Sequence, residues 1–179
     1  MEPLSDNEII GKILNGNHDL FRLIVEKYKQ PVASVIKGML GDCAEAEDVG
    51  QEAFIRLYNS LAEFRGEAAL KTYLIRIAMN LSLNEIKKRK RFNNNTVSID
   101  SVINFTMDFE MPATDRTEIR EMINNSVERL NPRLRSVFIL RIIDGYSTKE
   151  TANILKIPLG TVLSRLQRAV EEMRKLVSR

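Results

Sequence analysis

The sequence predicts an all-α protein made of two small helical units joined by a linker, and three observations carry that prediction. Apolar residues recur at helical spacing in every long segment outside residues 92–113. Ser, Asn and Gly-Asn signals start and stop these runs at the expected places. No window alternates apolar and polar residues between turn signals, which excludes strands. At 179 residues the chain can form one or two compact domains, burying roughly two thirds of its unfolded surface. Hydrophobic residues at 44% and charged residues at 28% exclude wholesale disorder and a membrane composition.

The elements follow in order. Ser5 and Glu8 form a capping box ahead of Ile9, Ile10, Ile13 and Leu14, and Asn15-Gly16-Asn17 ends that first helix. A second run, Leu20, Phe21, Ile24, Val25 and Tyr28, is expected to stop before Pro31, with a third helix carrying Val32, Val35, Ile36 and Met39 to Gly41. A fourth spans about Ala44 to Leu61 on Val49, Phe54, Leu57, Tyr58 and Leu61. The fifth, Thr72 to Arg91, uses Leu74, Ile77, Ala78, Leu81 and Ile86. This gives a first domain over residues 1–92.

Residues 93–113, opening with three asparagines, have no lasting period and read as a linker. Eight apolar side chains from Val97 to Met111 are too many for a solvated tether, so the segment is expected to pack on its neighbours or to become ordered in a partner's groove. A second domain, 114–179, starts at a capping box of Asp115 and Glu118. In it, Asn131 caps a helix with Pro132 in its first position, ending near Gly145. Ser147 and Glu150 cap a short helix that Pro158 separates from the last one, which has the form of a helix-turn-helix. At about 100° per residue, Val162, Leu166, Ala169, Val170 and Met173 of the last helix share a buried arc. The opposite arc holds Thr161, Ser164, Arg168 and Glu171, with Arg165 to one side.

Charge is segregated along the chain. Net charge is +1 over residues 1–92, −5 over 93–128 and +7 over 129–179, summing to +3. The basic cluster Lys87, Lys88, Arg89, Lys90, Arg91 and the basic carboxyl-terminal segment suggest two polyanion-facing surfaces, although either alone is equally a solvated face. The apolar runs fall far short of the roughly 20 residues that span a bilayer, and the acidic start (Glu2, Asp6, Glu8) lacks the basic lead of a signal peptide. The expected location is the cytoplasm, without membrane insertion. Cys43 and His18 are each the sole residue of their type. Neither a metal cluster nor a cofactor is therefore expected, and with no glycine-rich phosphate loop, neither is an enzyme.

The order of EAEDVGQEAFIRLY (45–58), FRGEAALKTYLIRIAMN (64–80), a basic run, a linker and GYSTKETANILKIPLGTVLSRLQRAV (145–170) resembles the bacterial RNA polymerase sigma factors of the extracytoplasmic-function (ECF) group, in the sigma-70 family. The resemblance covers nearly the full length. It implies that residues 1–92 are sigma region 2 and residues 114–179 sigma region 4, and that the partners are core RNA polymerase and promoter DNA, both duplex and single-stranded. An inhibitory anti-sigma protein, or another recruiting factor, is implied in the same way.

The first block resembles the helix that docks on the polymerase clamp. Asp48, Gln51 and Glu52 match its polar signature and share one helix face, away from Phe54 and Leu57. The second resembles the region that melts the minus-ten element and holds a flipped base. Phe64, Arg65, Gly66 and Lys71 would form its loop, Tyr73 would stack there or pack as a core aromatic, Asn80 would face the single strand, and Lys87, Lys88, Lys90 and Arg91 would grip phosphates. The third resembles the minus-thirty-five reader, where Thr161, Leu163, Ser164, Arg165 and Arg168 would meet the major groove. Gly50, Tyr73, Leu163 and Thr151 depart from the family pattern. A polymerase-independent helix-turn-helix regulator is the alternative, and a gel shift without polymerase separates the two.

Overall fold

The computed structural model describes residues 4–66, 68–95 and 115–177, with side chains at all of these except 93–95 and 115–121. Eight α-helices and no strand occur among the described residues. Helix α1 (Asp6–Leu14) starts at the expected capping box: Ser5 Oγ accepts from the Glu8 amide, and the Glu8 carboxylate accepts from the Ser5 amide at 2.8 Å. Its Ile9, Ile10 and Ile13 are buried. A 3₁₀ turn, His18–Leu20, leads into α2 (Phe21–Leu40).

Helix α2 corrects the expected break at Pro31, because one helix of 20 residues runs through that proline. An interior proline costs about 3 kcal/mol. On both sides of Pro31, however, Ile24, Tyr28, Val32, Val35, Ile36 and Met39 are buried, and burial of each such side chain contributes roughly 1.5–3 kcal/mol. A bend that separated the two halves would lose more than the proline does. Helix α3 (Ala44–Ser60) follows, then a 3₁₀ turn (Leu61–Glu63) and α4 (Leu70–Asn95). Helix α4 thus extends into the asparagines assigned to the linker, since adding residues to an existing helix avoids the cost of nucleation. The remainder of the linker, with its apolar side chains, lies outside the described residues, as do the side chains of the cap at Asp115 and Glu118.

The carboxyl-terminal part comprises α5 (Asp115–Arg129), α6 (Pro132–Phe138), α7 (Thr148–Leu155) and α8 (Leu159–Val177). Asn131 Oδ1 accepts from the Arg133 amide at 3.0 Å with Pro132 in the first turn, and Ser147 with Glu150 forms the second described capping box. Helix α6 passes into a π-helical turn, Ile139–Ile143, that the sequence pattern does not reveal. That turn keeps Ile139 and Leu140 buried and delivers Asp144 to the end of the helix.

Helices α2, α3 and α4 pack on one another, and α6 packs on α8. Val137, Ala152 and Val162, with Leu155, Ile157 and Leu166 around them, make a small core private to the carboxyl-terminal unit. The main core is shared. Ile24, Val35, Ile36, Leu74 and Ile75 from the first unit belong to the same buried cluster as Leu130, Ile139, Leu140 and Ile154 from the second. Gly38 permits this approach: a Cβ there would stand 3.0 Å from Ile139 Cδ1.

Candidate nucleic-acid and partner interface

Helix α4 carries a long polar stripe. At about 100° per residue, Tyr73, Arg76, Asn80, Asn84, Lys87 and Arg91 fall within an arc of about 80°, opposite the buried Leu74, Ile75, Ala78 and Ser82. Asn80, Lys87, Lys88, Lys90 and Arg91 are exposed. Lys88 also lies 3.4 Å from Glu85 Oε2, a surface pair of little energetic weight.

Arg89 does not belong to that basic surface. It projects about 160° from Tyr73, into the helix bundle. Its Nη1 donates to the Leu40 carbonyl at 3.1 Å, and its Nη2 lies 2.9 Å from Cys43 Sγ and 3.3 Å from Glu45 Oε2. It thereby satisfies an orphan carbonyl at the end of α2. The five-residue basic run of the sequence is four surface cations and one structural arginine.

The loop before α4 forms a cleft of about 320 Å³, lined by Glu63, Phe64, Arg65, Gly66, Ala68, Tyr73 and Arg76, with Asn153 of α7 at one edge. Gly66 has φ +70°, a left-handed conformation that favours glycine, so the loop turns sharply there. The Phe64 and Tyr73 ring centroids are 5.4 Å apart, and both rings are half-buried. Arg65 and Lys71 are exposed, and Lys71 Nζ rests 4.9 Å from the centroid of the Tyr146 ring. An aromatic pair beside guanidinium and ammonium groups can stack on a base and hold a phosphate. Sequence reasoning missed Arg76. Its spacing of three and four from Tyr73 and Asn80 is the signal that could have found it.

On α3, Asp48 and Gln51 are exposed, and Glu52 is half-buried with its Oε1 accepting from Arg56 Nε at 2.7 Å. Asp48 and Glu52 line a groove against α4, whereas Gln51 lines a second groove, against α2. That second groove also contains Phe54. This corrects the expected separation of the polar face from Phe54, because a spacing of three keeps Gln51 and Phe54 adjacent. Ile55, 54% exposed, extends the Asp48–Glu52 face by one turn and was not anticipated.

On α8, Ser164 and Arg168 are exposed and Thr161 and Arg165 half-buried, while Val162, Ala169 and Met173 are buried. Ser164 and Arg168 of the helix-turn-helix therefore face solvent, with Thr161 and Arg165 partly covered beside them, an arrangement that suits groove reading.

Family models for Sigma-70 region 2 and Sigma-70 region 4 match residues 24–92 and 120–173. The RNA polymerase sigma-H factor of Pseudomonas aeruginosa is 34% identical over 178 residues, covering 95% of this chain and 92% of that protein. The chain belongs to the ECF group of the sigma-70 family. Another relative, the ECF RNA polymerase sigma factor SigW of Bacillus subtilis, is 34% identical over 174 residues, covering 93% of each chain. The fold resembles that of the sigma factor RpoE of Bartonella quintana, solved with the anti-sigma factor NepR, at TM-score 0.72 and 21% identity over 88% of this chain and 96% of that one.

The departures from the family pattern can now be placed on this sigma factor. Gly50 lines the groove between α2 and α3, of about 350 Å³, where Val32, Ala33, Ile36 and Phe54 form apolar walls. A Cβ at Gly50 would meet Ile36 Cδ1 at an ordinary 3.8 Å, so the glycine widens the groove without being required by packing. Leu163 is 56% exposed and thus lies on the solvent edge of α8 rather than in its packed arc. Thr151 is fully buried, and its Oγ1 has no hydrogen-bond partner among the described residues.

Proposed function

We propose that this sigma factor binds core RNA polymerase through the exposed face of α3, places α8 in the minus-thirty-five major groove, and opens the duplex by holding a minus-ten base in the Phe64–Arg76 cleft. Residues 1–92 act as the docking and melting domain, 93–113 as the linker and 114–179 as the upstream reader. The protein works in the cytoplasm and performs no chemistry of its own. A recruiting or inhibitory partner controls it, as the pairing of the related RpoE with an anti-sigma factor suggests.

The observation that carries this reading is the α4 stripe, which runs from the aromatic cleft at Phe64 and Tyr73 past Asn80 to Lys87 and Arg91. Stacking groups come first, an amide follows, and cations lie beyond. A strand entering base-first meets them in the order that base flipping needs. Phosphate contacts from the cations would supply affinity that falls with salt and carries little sequence information.

The docking half of the proposal is tested by Asp48→Lys combined with Glu52→Lys. Both residues line the open groove against α4, and loss of the solvent-accessible Glu52–Arg56 pair removes at most about 1 kcal/mol. The expected result is loss of co-purification with core polymerase at unchanged helical content by circular dichroism. Polymerase binding equal to that of the parent would overturn the α3 assignment.

A further inference from the structure

Helix α7 crosses α4 beside the cleft. Arg76 Nη2 donates to the Asn153 carbonyl at 2.8 Å, and Asn153 itself lines the cleft with Phe64, Gly66 and Tyr73. Lys71, one turn earlier on α4, is held against Tyr146 just before α7. Three further links fasten the two units behind this contact. Ser34 Oγ donates to Asp144 Oδ1 at 2.5 Å, Arg135 Nη1 donates to the Met39 carbonyl at 2.7 Å, and Ile139 seats against Gly38.

We propose that the Phe64–Arg76 cleft docks this chain's own α7, and that single-stranded DNA and α7 compete for it. The inference rests on the reading of that cleft as the strand site. The competition follows from donor economy: the guanidinium that would meet a phosphate or a base carbonyl is already engaged by Asn153. The contact is also built to release. Arg76 Nε, Glu128 Oε1, Arg135 Nε and Asp144 Oδ2 are buried without hydrogen-bond partners among the described residues, and unmet polar groups weaken a buried contact. An oligonucleotide that pairs with Arg76 gains what the closed arrangement leaves unsatisfied. Among the described residues no such contact reaches Ser164 and Arg168 of α8, which are exposed.

The test uses the full chain and two substitutions outside the cleft. Gly38→Ala adds a methyl group against Ile139 while favouring the helix of α2, and Ser34→Ala leaves the Asp144 carboxylate buried without its donor. Two quantities are read: hydrogen–deuterium exchange over residues 70–77 and 148–155, and fluorescence anisotropy of a short, labelled, random-sequence DNA single strand. Both variants should exchange faster in these segments and bind the strand roughly tenfold more tightly. In the parent, saturating strand should accelerate exchange across α7. Strand binding with α7 exchange unchanged in the parent, and equal affinities in the variants, would overturn the competition. Faster exchange in the variants with no gain in strand affinity would reject the cleft as the strand site, while leaving the docking of α7 intact.

Discussion

The two faces proposed to read DNA are kept in opposite states. Helix α8 turns Leu163, Ser164 and Arg168 to solvent, whereas the cleft end of the α4 stripe lies under α7. Both helices are amphipathic, with a polar edge opposite a packed arc. They differ in what stands across from that edge. The arc of α8 packs on α5, α6 and α7, with Val162 in the small carboxyl-terminal core and Ala169 and Met173 in the shared one, while Ser164 and Arg168 on its polar edge are exposed. The polar edge of α4 bears Arg76, which reaches Asn153 of the other unit, and Lys71, in the first turn of α4 but off that edge, reaches Tyr146. Helical patterning thus makes a face, and tertiary placement decides whether it is available. On the proposed function, upstream duplex would be read while the units are closed, and the single strand only after they part.

The largest effect expected to split the two faces is that of pH. Burial pushes the Asp144 carboxyl from 3.8 up to about 6, opposed by its hydrogen bond from Ser34 and by the charge of Lys71. Tyr146 and Glu150 are the other titratable groups close by, and burial also raises Glu128 at the same boundary. When the units part, Asp144 is hydrated and titrates near its ordinary value. Between about pH 4 and 6 the closed form therefore holds a proton that the parted form has lost, so closure weakens as pH rises through that window. Single-strand affinity should increase roughly tenfold from pH 5 to 7.5, and Asp144→Asn should flatten the trend to the smaller dependence left by Glu128. Binding of upstream duplex through α8 should show no matching step. Parallel pH profiles for the two DNA forms would contradict the comparison.

A second expectation concerns α7, the helix that belongs to both regions. Thr151 buries a hydroxyl with no partner among the described residues, so Thr151→Val should stabilise the protein by about 1 kcal/mol, raising the melting temperature by a few degrees. Melting followed by circular dichroism checks it. A lower melting temperature would mean that the hydroxyl is satisfied after all.

The smallest expected effect sharpens the open face. Because Leu163 is 56% exposed, Leu163→Lys should lose little packing and add one phosphate contact. In a salt titration of holoenzyme on upstream duplex, log affinity should fall with log salt more steeply by about 0.9. An unchanged slope with earlier melting would return Leu163 to the packed arc.

Much of this was legible in the sequence where the chemistry is local. The caps at Ser5 and Glu8, Asn131 and Pro132, and Ser147 and Glu150 span at most three residues, and all three sit where the pattern puts them. So do the exposed Asp48, Gln51, Asn80, Ser164 and Arg168. What could not be read depends on partners far along the chain. Arg89 looks like one more phosphate grip until Leu40, Cys43 and Glu45 are brought to it from 44 to 49 residues away. Arg76 acquires its meaning from Asn153, 77 residues on. Pro31 reads as a helix end because its local cost is visible, while the buried stripe that outweighs it is collective. The shared core and the π turn at Ile139–Ile143 are tertiary in the same sense, since each unit taken alone shows only an amphipathic pattern.

The central claim, that the free chain is closed on its own strand cleft, is tested most directly by a distance. Spin labels at Lys90 on α4 and Glu171 on α8, both exposed, in a Cys43→Ser background, report the separation of the two units by pulsed electron resonance. One short, narrow distance distribution is expected for the free chain, moving to a longer one when saturating single-stranded DNA is added. A distribution already broad and long in the free chain, or one that stays short with the strand bound, would contradict it.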